Sequence, residues 1–276
     1  MDFREEVNEF IDNRYIYSIK SVAPTSAYIL GIRTPRGCKS QPIMDIIKDL
    51  KVTSNLAIIV LDALGLYPWY FHRKTMPFLT SIINRRLAIV KSIVPSKTPI
   101  NFATIVSGVG LEIHGIYTFN DNFKCETLFD VIRENSLKSM GCGRPNTTGA
   151  NLLARYADIK CISPEDSDDS LMLSLINYVL KYRPNYIIAQ FIDPDNYFHR
   201  YGPYSDKVSK VLNKVDMRLR NIVKVLNKYY SILILADHGQ HAIIDKNGEV
   251  KGGHGESIEE DVLVPLTWIS VNSINF

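Results

Sequence analysis

The chain has 276 residues, of which 46% are hydrophobic and 22% are charged, so it can bury the core of one large α/β domain or of two small ones. Its 32 Lys and Arg residues against 29 Asp and Glu residues give a net charge of +3, and no apolar run reaches membrane-spanning length, so neither a nucleic-acid partner nor a membrane is expected. The acidic start MDFREEVNEF lacks the features of a signal peptide, and the four cysteines form no CxxC pair, so we expect a cytoplasmic protein with reduced thiols.

The first 50 residues differ from the rest of the chain. Residues 2–12 have the apolar spacing of an amphipathic helix, and a second short helix is predicted near residues 42–50. The stretch between them is rich in Pro, Ser and Gly, which favours irregular structure. We therefore interpret residues 1–50 as an N-terminal extension that packs on the core or borders the site.

From residue 57 onwards, short aliphatic runs alternate with helical patterns. The runs predict five buried strands, at residues 57–62, 87–94, 185–193, 230–237 and 262–270. The predicted helices are 75–85, 98–107, 127–134, 166–182 and 204–228, the fourth with a start signal at Ser163-Pro164-Glu165. This alternation predicts an α/β fold, with a mostly parallel central sheet and helices on both faces.

Two polar, irregular segments interrupt the alternation, at residues 117–126 and 141–150. Irregular segments between regular elements are where substrate-facing loops occur. We therefore interpret 117–165 as a candidate lid on a single catalytic domain that spans 1–276. Arg144, in the second segment, is a candidate phosphate clamp because its guanidinium can donate two parallel hydrogen bonds.

Polar residues follow several of these strands, at the sheet edge where open α/β folds bind ligands. Each such aspartate alone is more typical of a turn or a helix cap. Together they supply three carboxylates, three imidazoles and one hydroxyl, the donor set that a pair of zinc-like ions requires. The members are Asp62, Thr98, Asp195, His199, Asp237, His238 and His254. Asp195 and His199 can converge on one ion across a tight turn or, at i and i+4, on one helix face.

Thr98 has two interpretations. With Pro99 next and Gly108 ten residues later, it has the pattern of an N-cap on a short helix, and taken alone that is the more ordinary reading. A hydroxyl at a helix start also lies where backbone N–H groups favour a phosphate, and a coordinated cation would make it a nucleophile. Asn101, one turn later, is either a surface amide or a donor to a phosphoryl oxygen.

The ordered motifs resemble the alkaline phosphatase superfamily, and within it the nucleotide pyrophosphatase/phosphodiesterase (type I phosphodiesterase) branch. PSKTPINFATIVSGVGLEIHGI (95–116) is similar to that branch's nucleophile segment, and DPDNYFHRYGP (193–203) is similar to its metal segment. ADHGQ (236–240) looks like its Asp-His pair, and GGHGE (252–256) looks like the segment of its final histidine. These motifs, in this order, span most of the chain.

The resemblance implies a role for each matched residue. Asp195, His199 and His254 would hold one zinc ion, whereas Asp62, Thr98, Asp237 and His238 would surround the other. Thr98 would attack phosphorus to give a phospho-threonine intermediate, which a zinc-activated water would hydrolyse, while Asn101 would help to hold the non-bridging oxygens. Other divalent cations can replace zinc in such oxygen- and nitrogen-rich sites. The substrate would be a small phosphate ester or a nucleotide.

The chain departs from the branch at two places near the nucleophile. The branch often has Pro-Asn-His after the threonine, whereas this chain has Pro99-Ile100-Asn101-Phe102, so the proline is shifted and the histidine is absent. Where the branch usually has a small residue before the metal histidine, this chain has Phe198. The resemblance therefore does not indicate which substrate this chain hydrolyses.

Several activities remain open at this level. A phosphodiesterase or nucleotide pyrophosphatase is the leading hypothesis, with a phosphomonoesterase as the alternative. A sulfatase lacks support because the C-x-P-x-R context is missing, and a metal-dependent mutase fits the Thr98–Asn101 pair less well. A non-catalytic metal-binding recognition protein is the alternative of another class, although retention of all seven candidate ligands argues against it. The oligomeric state is left open.

Further polar and aromatic residues near these motifs have ordinary structural explanations. His114, His72 and His241 are expected to be hydrogen-bonded structural histidines. Lys97 is either a solvated surface lysine or a residue that attracts phosphate. Phe102, Tyr67 and Tyr197 can stack on a nucleobase, but aromatic residues near a core need no such role.

Overall fold

A mostly parallel sheet forms the centre of the computed structural model, which describes residues 2–12 and 14–274. Its eight strands are β1 (Ile16–Ser18), β2 (Leu56–Leu61), β3 (Ala88–Lys91), β4 (Ser139–Gly143), β5 (Ile159–Ile162), β6 (Tyr186–Phe191), β7 (Ser231–Leu235) and β10 (Leu263–Ile269). The order across the sheet is β1-β3-β10-β7-β2-β6-β4-β5, and β10 alone runs antiparallel to its neighbours. A separate antiparallel hairpin joins β8 (His241–Ile244) to β9 (Val250–Gly253).

Thirteen helices surround this sheet in the described part of the chain. They are α1 (Phe3–Ile11), α2 (Val22–Leu30), α3 (Met44–Asp49), α4 (Leu66–Phe71), α5 (Pro77–Ile83), α6 (Thr98–Ser107), α7 (Leu111–His114), α8 (Leu128–Glu134), α9 (Ala154–Tyr156), α10 (Asp168–Tyr182), α11 (Asp193–Tyr201), α12 (Ser209–Leu226) and α13 (Glu259–Val262). Every residue of β2 and β6 is buried, so both faces of the central strands are covered. The predicted α/β class, with its mostly parallel sheet, is therefore confirmed.

The helices pack as two groups. Helices α5 and α10 each contact α12, and α2 and α8 each contact α6. No helix among residues 2–12 and 14–274 combines the length and the apolar character that crossing a membrane requires.

The N-terminal stretch expected to be irregular contains the buried helix α2. Its polar residues Thr25 and Ser26 are buried because their hydroxyls donate to the carbonyl oxygens of Ser21 and Val22, one turn back, at 2.6 and 2.8 Å. Helix α1 is tied to the core, where Tyr67 donates to Asn8 at 2.7 Å. The extension thus contributes three α-helices and the edge strand β1 to the fold.

The segment 141–150 was also expected to be irregular, and its first three residues instead belong to β4. Strand β4 contains two glycines, and β5 is only four residues long and includes a lysine, so both lack the long aliphatic pattern of the central strands. A Cβ on Gly143 would lie 2.5 Å from the backbone nitrogen of Ala150, which shows how closely the following segment packs on β4. The remaining loops within 117–165 keep their lid role as a prediction, as does the single-domain division.

The predicted start of the long helix at Ser163-Pro164-Glu165 is wrong. Helix α10 begins at Asp168, and Ser167 caps it by accepting a hydrogen bond from the backbone N–H of Ser170. The Ser163 hydroxyl donates to the Glu165 carbonyl at 2.5 Å and so closes a local turn instead. Two capping patterns lie within five residues, and the second, with two acids in the first turn, forms the helix start.

Candidate active site

The predicted site residues converge at one edge of the sheet. Asp62 directly follows β2, Asp237 and His238 follow β7, and Asp195 lies in the first turn of α11 after β6. These three strands are adjacent and parallel, so their carboxyl ends meet at the same edge. Thr98 reaches this edge at the start of α6.

Asp62, Thr98, Asp237 and His238 form what we call the strand half of the site. Asp62, Asp237 and His238 are buried and offer ligand atoms that all lie within 4.8 Å of one another. Thr98 Oγ1 lies 3.1 Å from His238 Nε2 and 3.5 Å from Asp62 Oδ1. The hydroxyl therefore faces the same space as the ligand atoms.

Asp195, His199 and His254 form the helix half. Asp195 Oδ1 lies 3.3 Å from His199 Nε2 and 3.9 Å from His254 Nε2. Asp195 and His254 form a second compact group with His238, whose ring stacks on that of His254 at 4.0 Å between centroids. His199 belongs to neither compact group. It lies one turn after Asp195 on α11, so of the two arrangements that the sequence left open for this pair, the helical one is present.

All three histidines are oriented in the same way. Each places Nδ1 against a backbone carbonyl, which leaves Nε2 free to face the site. The pairs are His199 with Gly252 at 2.9 Å, His238 with Gly239 at 3.0 Å, and His254 with Ser96 at 2.7 Å. A hydrogen bond that orients the second ring nitrogen is typical of metal-bound histidine.

The strand half concentrates negative charge away from water. Burial raises the pKa of Asp62 well above its ordinary value, and the carboxylates of Asp237 and Asp195 raise it further. Burial also raises the pKa of Asp237. Asp237 Oδ2 is buried and finds no hydrogen-bond donor within the described ranges. Buried carboxylates this close together need a positive partner, so the donor set fits a divalent cation.

The carboxylate of the helix half is already balanced by neighbouring histidines. Although burial acts to raise the pKa of Asp195, the hydrogen bond to His199 and the charges of the three histidines lower it. The same hydrogen bond raises the pKa of His199. Burial, and then the charge of His238, lower the pKa of His254 to about 4. His254 is thus neutral near pH 7, the form in which imidazole binds a metal.

Thr98 is the first residue of α6 and not its N-cap, which is a correction to the local prediction. Lys97 is the extended residue that precedes the helix, and Pro99 takes the second helical position. Gly108 ends the helix in the left-handed conformation, as predicted. Because Thr98 makes no capping hydrogen bond, its hydroxyl is free to face Asp62 and His238.

Asn101 is buried and holds the loop that precedes Thr98. Its amide nitrogen lies 3.3 Å from the carbonyl oxygens of Ile93 and Lys97, and its Oδ1 accepts from the Ile93 N–H at 2.8 Å. Both amide hydrogens are therefore used by the backbone. The predicted contact of Asn101 with a phosphoryl oxygen is not part of this geometry and stays a prediction.

Arg144 is not available as a phosphate clamp. Its guanidinium contacts three carboxylates, those of Asp166 at 2.8 Å, Asp193 at 3.2 Å and Asp168 at 3.6 Å. The side chain is 8% exposed. Arg144 instead belongs to a buried ion-pair network that supports the start of α11.

The remaining candidates have the expected structural environments. His114, His72 and His241 are hydrogen-bonded to Ile116, Pro203 and Asp261, respectively. Phe102 and Tyr67 are buried in the core. Tyr197 is 39% exposed and packs against Tyr201, on the same side of α11.

Two buried glutamines that contact the site were missed. Gln190 donates to Asp62 Oδ2 at 2.5 Å, and Gln240 donates to Asp195 Oδ1 at 2.6 Å. The sequence does mark Gln190, because it is the one carboxamide within the otherwise aliphatic and aromatic run of β6. Gln240 directly follows the DHG motif, which gives its position but not its partner.

Comparison with known proteins agrees with this geometry. The family described as type I phosphodiesterase / nucleotide pyrophosphatase matches residues 56–139 and 154–261, which is more than half of the chain. The chain belongs to this family. The family match covers both halves of the site, and it places the chain in the alkaline phosphatase superfamily.

The curated relatives are venom phosphodiesterases. One from Naja atra is 24% identical over 183 residues, and venom phosphodiesterase 2 from Crotalus adamanteus is 26% identical over 189 residues. In both cases the match covers 56% of this chain and 22% of the relative. The chain therefore spans about a fifth of the length of these relatives.

Solved structures of the same superfamily share the fold. Murine ectonucleotide pyrophosphatase/phosphodiesterase 5 superposes with a TM-score of 0.62 at 14% identity, over 78% of this chain and 88% of that one. Phosphonoacetate hydrolase from Sinorhizobium meliloti 1021, in complex with phosphonoformate, superposes with a TM-score of 0.56 at 16% identity, over 71% and 59%. At these identities the likeness concerns the fold.

Proposed function

We propose that this chain is a two-zinc phosphoesterase that hydrolyses a phosphodiester or a pyrophosphate through a phospho-threonine at Thr98. The observation that carries the proposal is the position of the Thr98 hydroxyl, 3.1 Å from His238 Nε2, which belongs to a compact group whose buried Asp237 Oδ2 has no hydrogen-bond donor among the described residues. In this proposal Asp62, Asp237 and His238 hold one ion next to Thr98. Asp195, His199 and His254 hold the other, and other divalent cations can take the same ligands.

The first chemical step is a displacement at phosphorus. Thr98 Oγ1 forms a bond to phosphorus with an electron pair of its own, and its hydroxyl proton passes to solvent. The bond between phosphorus and the leaving oxygen breaks, and the leaving group departs with that electron pair and takes up a proton. Bound cations would favour this step by lowering the pKa of the hydroxyl and by stabilising the charge on the entering and leaving oxygens.

The second step restores the enzyme. Water attacks phosphorus, the bond between phosphorus and Thr98 Oγ1 breaks, and Thr98 recovers a proton while the phosphate product leaves. The start of α6 supports both steps, because its free backbone N–H groups favour a bound phosphate. We also propose that the substrate is a small molecule or a nucleotide and that the protein is cytoplasmic, as the sequence predicts.

The experiment is hydrolysis of bis(4-nitrophenyl) phosphate by zinc-loaded protein at mildly alkaline pH. We expect turnover by the wild type, loss of turnover in Thr98→Val, and partial recovery in Thr98→Ser, which restores a hydroxyl. Acid quenching followed by mass spectrometry should find a 4-nitrophenyl phosphoryl group on residue 98 of the wild type and of Thr98→Ser, and none on Thr98→Val. A Thr98→Val protein as active as the wild type would refute the nucleophile.

Two comparisons separate the neighbouring activities. Rates on 4-nitrophenyl phosphate and on its thymidine monophosphate ester distinguish a monoesterase from a diesterase, and a large excess on the former would overturn the diesterase assignment. Metal analysis of the purified protein should find two zinc ions per chain. Full occupancy without turnover of any phosphate or sulfate ester would instead favour a metal-binding recognition protein.

A further inference from the structure

Each half of the site contains one carboxylate that is held by a buried glutamine. The two contacts are nearly equal in length, 2.5 Å from Gln190 Nε2 to Asp62 Oδ2 and 2.6 Å from Gln240 Nε2 to Asp195 Oδ1. Gln190 is 2% exposed and Gln240 is fully buried. Burying a carboxamide costs free energy unless it is hydrogen-bonded, so two buried glutamines that each donate to a carboxylate of the site call for an explanation.

Gln190 is fixed at both ends of its amide. It lies on β6 opposite Val60 of β2, and because Val60 is two residues before Asp62, both side chains are on the same face of the sheet as that of Gln190. Its Oε1 accepts from the Gly149 N–H at 2.5 Å, while its Nε2 donates to Asp62 Oδ2. This second bond leaves Asp62 Oδ1 facing Thr98 and His238. The glutamine therefore decides which carboxylate oxygen faces the nucleophile.

Gln240 is fixed by a close approach of the hairpin. A Cβ on Gly252 would overlap Gln240 Oε1 and lie 2.5 Å from the carbonyl oxygen of Phe198, so residue 252 has to be glycine here. Gly252 also accepts from His199 Nδ1 through its carbonyl oxygen. One glycine of β9 thus links the orientation of His199 to that of Gln240, and through it to Asp195.

The chemistry of a carboxamide suits this position. A neutral N–H donor stabilises an ionised carboxylate and fixes its rotamer, as lysine or arginine also would. It adds no positive charge, however, so it does not repel a cation that binds to the same carboxylate. Both glutamines therefore allow a ligand carboxylate to stay ionised and oriented without competing with the ion.

We propose that Gln190 and Gln240 are positioning residues, each dedicated to one metal ion: Gln190 acts on the strand half through Asp62, and Gln240 acts on the helix half through Asp195. This inference rests on the proposed function only in requiring that both halves bind a divalent cation. A purely structural role would instead lower the stability of the fold and affect both ions together.

The test is zinc affinity, measured by competition with a chromophoric chelator on the intact chain. Gln240→Leu should weaken one of the two ions about 10- to 100-fold, the size typical of lost outer hydrogen bonds to ligands, and leave the other in place. Gln190→Leu should do the same to the other ion. The single-site variants Asp62→Asn and Asp195→Asn identify which ion is lost in each case, and cobalt(II) absorption provides a spectroscopic signature of each half.

Two further variants separate an effect on the ligand from a general disturbance of the fold: a glutamate in place of Gln240, and an alanine at a neighbouring glycine of β9. Gln240→Glu, which replaces the donor by a second carboxylate, should weaken the same ion more than Gln240→Leu does. Gly253→Ala is a control on the same strand, because a Cβ there meets mainly the flexible side chain of Ile243. Circular dichroism of the metal-free variants reports on folding separately.

The outcomes distinguish the two proposals. Equal weakening of both ions by each variant, or of neither, overturns the positioning roles while the two-metal function stands. A wild-type protein that binds no divalent cation refutes the proposed function and the positioning roles together. If a leucine variant fails to fold, the glutamate variant and the corresponding methionine substitution at the same position provide the same comparison.

Discussion

The two halves of the site balance their charge in opposite ways. In the strand half, burial raises the pKa of Asp62 and Asp237, and one oxygen of Asp237 has no donor among the described residues. In the helix half, His199 and His254, together with His238 of the strand half, lower the pKa of Asp195, which is partly exposed. The strand half therefore gains most from a cation, whereas the helix half is stable in its own right. The unbalanced negative charge and the proposed nucleophile, Thr98, thus occur in the same half of the site.

The largest expected difference is in activity. Asp62→Ala removes a ligand beside Thr98, so we expect turnover of the diester to fall about 10⁴-fold, as for residues that act as a unit with a nucleophile. His199→Ala leaves Thr98 and its neighbours in place, and a smaller loss is expected. Steady-state rates and the amount of phosphorylated Thr98 measure both. Equal losses would remove the functional distinction between the halves.

The next effect is stabilisation by metal. In the proposed two-metal site, both halves bind the cation only when folded, so zinc at about 1,000 times its dissociation constant should raise the free energy of unfolding by about 4 kcal/mol per site. Thermal unfolding with zinc and with a chelator measures this. The shift should shrink more in Asp237→Asn than in His199→Gln. A chelator that leaves the melting temperature of the wild type unchanged would contradict a folded-state metal site.

Stability without metal sharpens the comparison further. Asp237→Asn removes a buried charge whose Oδ2 lacks a donor, so the metal-free protein should gain about 1 kcal/mol or more of unfolding free energy. Asp195→Asn removes a carboxylate that its histidines stabilise, so the metal-free protein should lose stability. Urea unfolding of both variants in chelator gives the two signs. The same sign for both would mean that the halves do not differ in charge balance.

The smallest effect concerns a histidine outside both halves. Burial lowers the pKa of His114 to about 4, and its Nδ1 accepts from the Ile116 N–H at 3.0 Å, which requires the neutral ring. The unfolded state binds the proton more readily, so stability is full above about pH 6.5 and is lost as the pH falls from 6.5 towards 4. We expect a loss of about 1 to 3 kcal/mol over this window.

The loss should be smaller in His114→Gln, which cannot titrate at this position, but it should not vanish, because the pKa of His254 is lowered to about 4 as well. Urea unfolding at pH 7.5 and at pH 5 in chelator measures it for both proteins. Metal-free protein is needed because the site ligands titrate as well. A variant with the same loss as the wild type would assign the acid sensitivity to other groups.

Much of the strand half was accessible from sequence because its residues lie next to their own strands. Aliphatic runs predicted β2, β6 and β7, and the first polar residues after β2 and β7 are Asp62 and Asp237. Parallel strands bring their carboxyl ends together whatever the loops do, so adjacency in sequence became adjacency in space. Helix α6 was equally readable from Pro99 and Gly108.

What only the tertiary structure decided depends on contacts between distant segments. The match of Gln240 to Asp195 needs the β8–β9 hairpin to approach α11 at Gly252, and no local pattern encodes this distance. Asn101 is committed to the backbone near Ile93 by a loop path that residue types do not specify. Periodicity and capping are properties of neighbouring residues, so the sequence alone determined five of the strands, the span of α6 and the candidate ligand types. Which oxygen or nitrogen faces the site depends on packing between elements far apart in the chain, and only the fold determines it.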